Sequence, residues 1–172
     1  LPEDDEAWSM QTQCAERLAA AGLVNYEVSA WAQPGRECRH NRNYWEYGDF
    51  LGIGAGAHGK ITLPAEGSVR KRIRKRHPDA WMTAVEDGDG LAEDQCIDAP
   101  DRVFEFFLNQ LRLRGGVLKS QFSPRTGVPW EQVRERVGRV LERGLMEDRG
   151  ERLVPTETGW RFVNEIQAVF LP

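Results

Sequence analysis

Within eight residues, Cys38-Arg39-His40-Asn41-Arg42-Asn43-Tyr44-Trp45, the chain gathers an imidazole, two guanidiniums, two carboxamides and two large aromatic rings. A neutral imidazole ligates metals, a guanidinium pairs with carboxylates, and an aromatic face covers an apolar plate. The run therefore suits a flat, anionic, metal-bearing ligand, with His40 on the metal and Arg39 and Arg42 beside its acidic groups. The same side chains also suit a structural loop, in which His40, Asn41 and Asn43 bond backbone carbonyls while Tyr44 and Trp45 fill an apolar gap. Cys38 adds a soft ligand two residues before His40, but one Cys-x-His pair falls short of the four ligands of a closed zinc site.

Two other runs carry recognisable chemistry. Gly54-Ala55-Gly56-Ala57-His58-Gly59 spells the dinucleotide fingerprint, yet Lys60-Ile61-Thr62-Leu63-Pro64 after it is extended and proline-ended, where that motif requires a helix. Arg70-Lys71-Arg72-Ile73-Arg74-Lys75-Arg76 is the strongest basic cluster, suited either to an anion or to a charged edge strand that resists pairing. Near the end, Arg134, Arg136, Arg139 and Arg143 interleave with Glu131, Glu135 and Glu142 at helical pairing distance. Arginines so neutralised make poor phosphate contacts, so nucleic acid is not an expected partner.

Taken with Tyr26-Glu27-Val28-Ser29 before it and Tyr47-Gly48-Asp49-Phe50-Leu51-Gly52-Ile53-Gly54-Ala55-Gly56-Ala57-His58-Gly59 after it, the central run resembles the HemW family of radical S-adenosylmethionine proteins. Softer likeness continues through Phe106-Phe107-Leu108-Asn109-Gln110-Leu111-Arg112-Leu113 and Phe122-Ser123-Pro124-Arg125-Thr126-Gly127, so the resemblance covers essentially the whole chain. It implies a heme chaperone that passes heme to respiratory proteins; the alternative is an oxygen-independent coproporphyrinogen III oxidase. By this resemblance His40, Asn41, Tyr44 and Trp45 form the heme-binding element, with His40 on the iron and Arg39 and Arg42 near the propionates. The bare backbone of Gly54 and Gly56 would approach S-adenosylmethionine.

A four-iron cluster needs three closely spaced cysteines, whereas Cys14, Cys38 and Cys96 lie far apart. The resemblance is thus to the C-terminal half of such a protein, and S-adenosylmethionine and the cluster belong to the intact parent. This chain alone is expected to be inactive in radical chemistry. Three widely separated cysteines also make no disulfide framework and fit a reducing compartment. No apolar run nears the roughly 20 residues of a membrane span, and no signal peptide precedes the acidic opening, so a cytoplasmic, non-transmembrane protein is expected. With 172 residues, 40% of them hydrophobic, and a net charge of -4, the chain can bury a core and carries no global basic field.

The elements that must hold these residues follow from periodicity. Residues 4–21 read as a helix and 23–31 as a strand, the αβ unit of a barrel; 32–47 read as a long ordered loop with one helical turn, and 50–57 as a second strand. Residues 60–66 stay extended, and Pro78 opens a short helix to about 86. The acidic stretch 87–98 reads as a linker. Beyond it come helices at 100–113 and 130–143 with a short helix or turn at 121–126 between them, a two-stranded ribbon over 144–155, and a final helix over 158–170 capped by Thr156 or Thr158. The expected fold is α+β: a radical enzyme barrel remnant over 1–86, a linker over 87–99, and a mainly helical winged-helix-like module over 100–172. Barrel edges without neighbours would drive self-association.

Overall fold

A computed structural model describes residues 2–172. Helix α1 (Asp4–Ala20) starts with Asp4, Asp5 and Glu6 at the positive end of its dipole, and it buries none of its residues. Its main aromatic, Trp8, is half exposed and lies 4.4 Å beneath the Arg161 guanidinium. The expected single strand after it is instead a hairpin: β1 (Val24–Glu27) turns at Val28-Ser29 and pairs antiparallel with β2 (Ala30–Ala32). Asn25 closes that turn, its carboxamide donating to the carbonyls of Glu27 and Ala30.

The presumed loop holds α2 (Arg39–Trp45), two helical turns rather than one. It ends with the Tyr47 amide on the Tyr44 carbonyl and the Gly48 amide on the Asn43 carbonyl, the paired bonds of a Schellman cap. Residues 50–57 do not form the expected strand. Only Phe50 bridges to Lys60, and Gly54 and Gly56 take φ of +102° and +69°, which breaks the extended run and removes the common glycine face.

Strands β3 (His58–Leu63), β4 (Ser68–Arg74) and β5 (Leu91–Ile97) form an antiparallel sheet in that order, with α3 (Pro78–Glu86) between the last two. The basic run therefore occupies the central strand, not an edge. The acidic stretch expected as a linker supplies β5, where Asp94 pairs with both Arg70 and Arg72. All strand pairs among the described residues are antiparallel, so the parallel strands of a β/α barrel are not formed there.

The core lies in the last part of the chain. Helix α4 (Ala99–Gln110), capped by the Asp98 carboxylate on the Asp101 amide, buries Val103, Phe106 and Phe107. Strand β6 (Val117–Leu118), α5 (Lys119–Thr126), a 3-10 turn at Trp130–Val133, α6 (Arg134–Glu142), β7 (Met146–Arg149) and β8 (Arg152–Pro155) follow, with sheet order β6-β8-β7. The expected last helix is two short ones, α7 (Glu157–Arg161) and α8 (Val163–Ala168), broken at Phe162. Phe107 stacks on Phe170 with ring centroids 3.6 Å apart, and Phe106 meets Phe122 edge-on at 5.1 Å. Each fully buried ring contributes about 1.5–3 kcal/mol.

The hairpin is not separate from this core. Val28 donates to the Arg112 carbonyl and Arg114 to the Tyr26 carbonyl, so residues 112–114 add a third line of backbone to β1.

Candidate functional site

Helix α2 presents four of the predicted residues, Arg39, His40, Arg42 and Tyr44, to solvent. His40 and Tyr44 are four residues apart, hence on one face of the helix, and both are exposed. The imidazole makes no hydrogen bond among the described residues, so it is not held by loop carbonyls. Tyr44 packs against Phe50 at 5.1 Å and edge-on to Trp45 at 4.9 Å, which fixes the ring while leaving 39% of the residue accessible.

Most other members of the run are engaged by neighbours. Arg42 places Nε and Nη2 on one carboxylate oxygen of Glu46, at 3.2 and 2.8 Å. That pairing competes with any acidic group of a ligand, whereas Arg39 forms no ion pair among the described residues. Asn41 donates to the Tyr26 hydroxyl at 3.4 Å and Asn43 to the Asp49 carbonyl at 2.9 Å. Trp45 lies under the Arg112 guanidinium, 4.2 Å from its ring centroid. Arg112 in turn stands 3.8 Å from the carboxylate of Glu27, a residue only 2% exposed whose other oxygen accepts from the amide and hydroxyl of Ser29. Trp45 thus anchors α2 to the segment after α4.

Behind Tyr44 is a polar group that the sequence reading passed over. Tyr47 is buried and donates its hydroxyl to Glu105 at 3.0 Å. Burial first, and the neighbouring Glu105 carboxylate second, push its phenol far above the ordinary value. The Lys60 ammonium sits 4.0 Å over the Tyr47 ring and donates to Asp49 at 3.1 Å. Burial lowers the Lys60 value, although its bond to Asp49 opposes this. Burial would raise Asp49, but hydrogen bonds from the amide and hydroxyl of Thr62 and from Lys60 outweigh it and hold the carboxyl low. Tyr44, Lys60, Lys71 and Glu105 together border a cavity of ≈ 150 Å³. A larger one of ≈ 290 Å³ lies between the hairpin, α2 and the segment after α4. The spacing signal for the buried group was the lysine in Gly59-Lys60-Ile61, a charge on a strand otherwise ready for burial.

The remaining predicted positions stay apart. Gly54 and Gly56 lie in the irregular segment before β3, and a side chain at Gly54 would meet nothing within 4 Å, so its backbone is open. The three cysteines are exposed and free. Among the described residues no group of three His, Cys, Asp or Glu side chains is placed to hold a metal ion, so this chain does not fit an iron–sulfur cluster.

Residues 97–162 match the HemN C-terminal domain. Along 99% of its length the chain is 37% identical to the heme chaperone HemW of Escherichia coli, covering 44% of that protein. It is 36% identical to HemW of Haemophilus influenzae over 99% of its length and 43% of the relative. The HemW of Mycobacterium tuberculosis is 34% identical over 92% of the chain and 37% of the relative. Among solved structures, the coproporphyrinogen III oxidase HemN of Escherichia coli, a radical SAM enzyme, superposes with a TM-score of 0.69 at 13% identity, covering 99% of this chain and 42% of that one. That match shows a shared fold. The resemblance read from residues 26–59 therefore holds, and the chain spans less than half the length of the curated relatives it matches.

Proposed function

We propose that this chain is the heme-carrying C-terminal part of a HemW-like chaperone, with His40 as iron ligand and Tyr44 as the aromatic face beside it. The observation that carries the reading is an imidazole left unbonded on the same exposed helix face as a fixed aromatic ring, in a chain similar throughout to proteins named heme chaperones. These residues fit heme: histidine is a common axial ligand, and an aromatic ring packs against a porphyrin plate. Bound heme supplies the iron and the cargo; the chain supplies a ligand, a surface and an anchor. Arg39 is free to approach a propionate, and Trp45, pinned by Arg112, keeps α2 in place. Open backbone at Gly54 supports a contact with S-adenosylmethionine there, with Gly56 beside it. Recipients of the heme would be respiratory proteins.

The alternative, radical decarboxylation of coproporphyrinogen III by the intact protein, would need cluster ligands from outside this chain, whose three cysteines do not converge. The order helix, short strand, two helices and ribbon supports reading 100–172 as a winged-helix-like module. Among the described residues no helix is long and apolar enough to cross a membrane.

The test is a hemin titration followed in the Soret band, with competition by imidazole. Wild type is expected to bind one equivalent, and His40→Ala to lose the histidine-ligated spectrum. Binding with an unchanged spectrum in His40→Ala would return His40 to a structural role.

A further inference from the structure

Lys60 and Lys71 stand directly opposite each other in the β3–β4 register, and both border the ≈ 150 Å³ cavity behind Tyr44. Like charges so placed destabilise a strand pair. Burial adds to the cost, since Lys60 is only 6% exposed. An ammonium carries three donors. Lys60 gives one to Asp49 and rests against the Tyr47 ring, which leaves donor capacity with no acceptor among the described residues.

Lys71 differs from its neighbours on the same strand. Alternation puts Arg70 and Arg72 on one face, where both reach Asp94, and Lys71 on the other, where it forms no ion pair among the described residues. The carboxylate on the cavity wall, Glu105, is already engaged by the Tyr47 hydroxyl. Lys60 is paired with Asp49 and Glu105 keeps its charge on the same wall, so Lys71, the unpaired cation beside the aromatic ring, is the group left to meet a carboxylate attached to a flat apolar body, with a spare Lys60 donor facing it.

We propose that this cavity takes a carboxylate arm of the tetrapyrrole, with Lys71 as its ion-pair partner and Lys60 as second donor. The proposal rests on the heme reading above and moves the recognition of the acidic arm from Arg42, which Glu46 occupies, to the β3–β4 lysines. Because Tyr44 belongs both to the exposed face of α2 and to the cavity wall, ring and arm meet at one residue.

The experiment uses iron-free protoporphyrin IX and its dimethyl ester, titrated against the full chain by porphyrin fluorescence. The free acid is expected to bind about tenfold tighter than the diester. Lys71→Met removes that preference, Lys71→Arg keeps it, and Lys71→Glu reverses it; thermal unfolding of each variant checks that the sheet persists. Equal affinity for acid and diester in the wild type, an undiminished preference in a folded Lys71→Met, or no porphyrin binding at all would overturn the proposal. Iron plays no part in this measurement. A retained acid preference with hemin spectra indifferent to His40→Ala would therefore sink the iron ligand and leave the lysine site standing. The opposite pair of results would do the reverse.

Discussion

Tyr47 takes φ of 58° at the end of α2, a left-handed conformation that glycine reaches freely and tyrosine does not. The cost is offset by what the position gives: a fully buried ring that forms the floor beneath the Lys60 ammonium and a hydroxyl fixed on Glu105. Gly48 follows because a side chain there would collide with the Asn43 carboxamide and carbonyl. The Asp49–Lys60 pair beside it gives a pH-dependent prediction. Asp49 titrates below its ordinary value of 3.8, so its contribution is fully present above that pH and is lost as the pH falls through the lower folded value. Asp49→Asn is expected to cost about 1–2 kcal/mol at neutral pH, the upper range being discounted for the half-exposed carboxylate. Urea unfolding repeated below pH 3.8 should show the gap to wild type closing; a gap of the same size at both pH values would contradict the pairing. At this scale the sequence displayed His40, Tyr44 and Trp45 by type alone. Lys71 was legible only as one of a basic run and Lys60 only as a charge on an apolar strand, while Glu105 stayed hidden, because their meaning comes from residues on other elements.

Among the elements, α4 was legible because Val103, Phe106 and Phe107 repeat at the helical period and face one core. Residues 50–57 misled because alternating glycine and apolar residues imitate a strand, while the positive φ at Gly54 and Gly56 leaves no sign in such a pattern. β5 was read as a linker for the converse reason: Glu93 and Asp94 look solvated until Arg70 and Arg72, across the sheet, neutralise Asp94. The split of the last helix has a local device at its start. Thr156 caps α7 through the Gly159 amide, and Gly159 sits against the Leu145 carbonyl with no room for a side chain. Gly159→Ala, favourable by helix propensity alone, is expected to destabilise by about 2–4 kcal/mol. An unchanged urea midpoint would show that α7 can move away from β7 freely.

Across the whole molecule, the strongest tie between the motif and the core is Arg112. Its backbone pairs with β1, its guanidinium covers Trp45, and its charge faces the buried Glu27. Arg112→Ala leaves that carboxylate without its cation and is expected to cost about 1–3 kcal/mol, since the arginine is a third exposed and stands 3.8 Å away. Arg112→Lys should recover only part of this, since an ammonium lacks the plane that stacks on the indole. Full recovery by lysine, read from unfolding curves, would show that charge alone matters. The motif run made the family resemblance legible, yet nothing local in Tyr26-Glu27-Val28 announces a partner as distant as Arg112-Leu113-Arg114. The same separation sets an order of events during synthesis. Translation proceeds at about 5–20 residues per second, so α2 leaves the ribosome seconds before the arginine that anchors it. A nascent chain in that interval displays His40 on an untethered segment, and its platform becomes fixed only after the C-terminal core has been made.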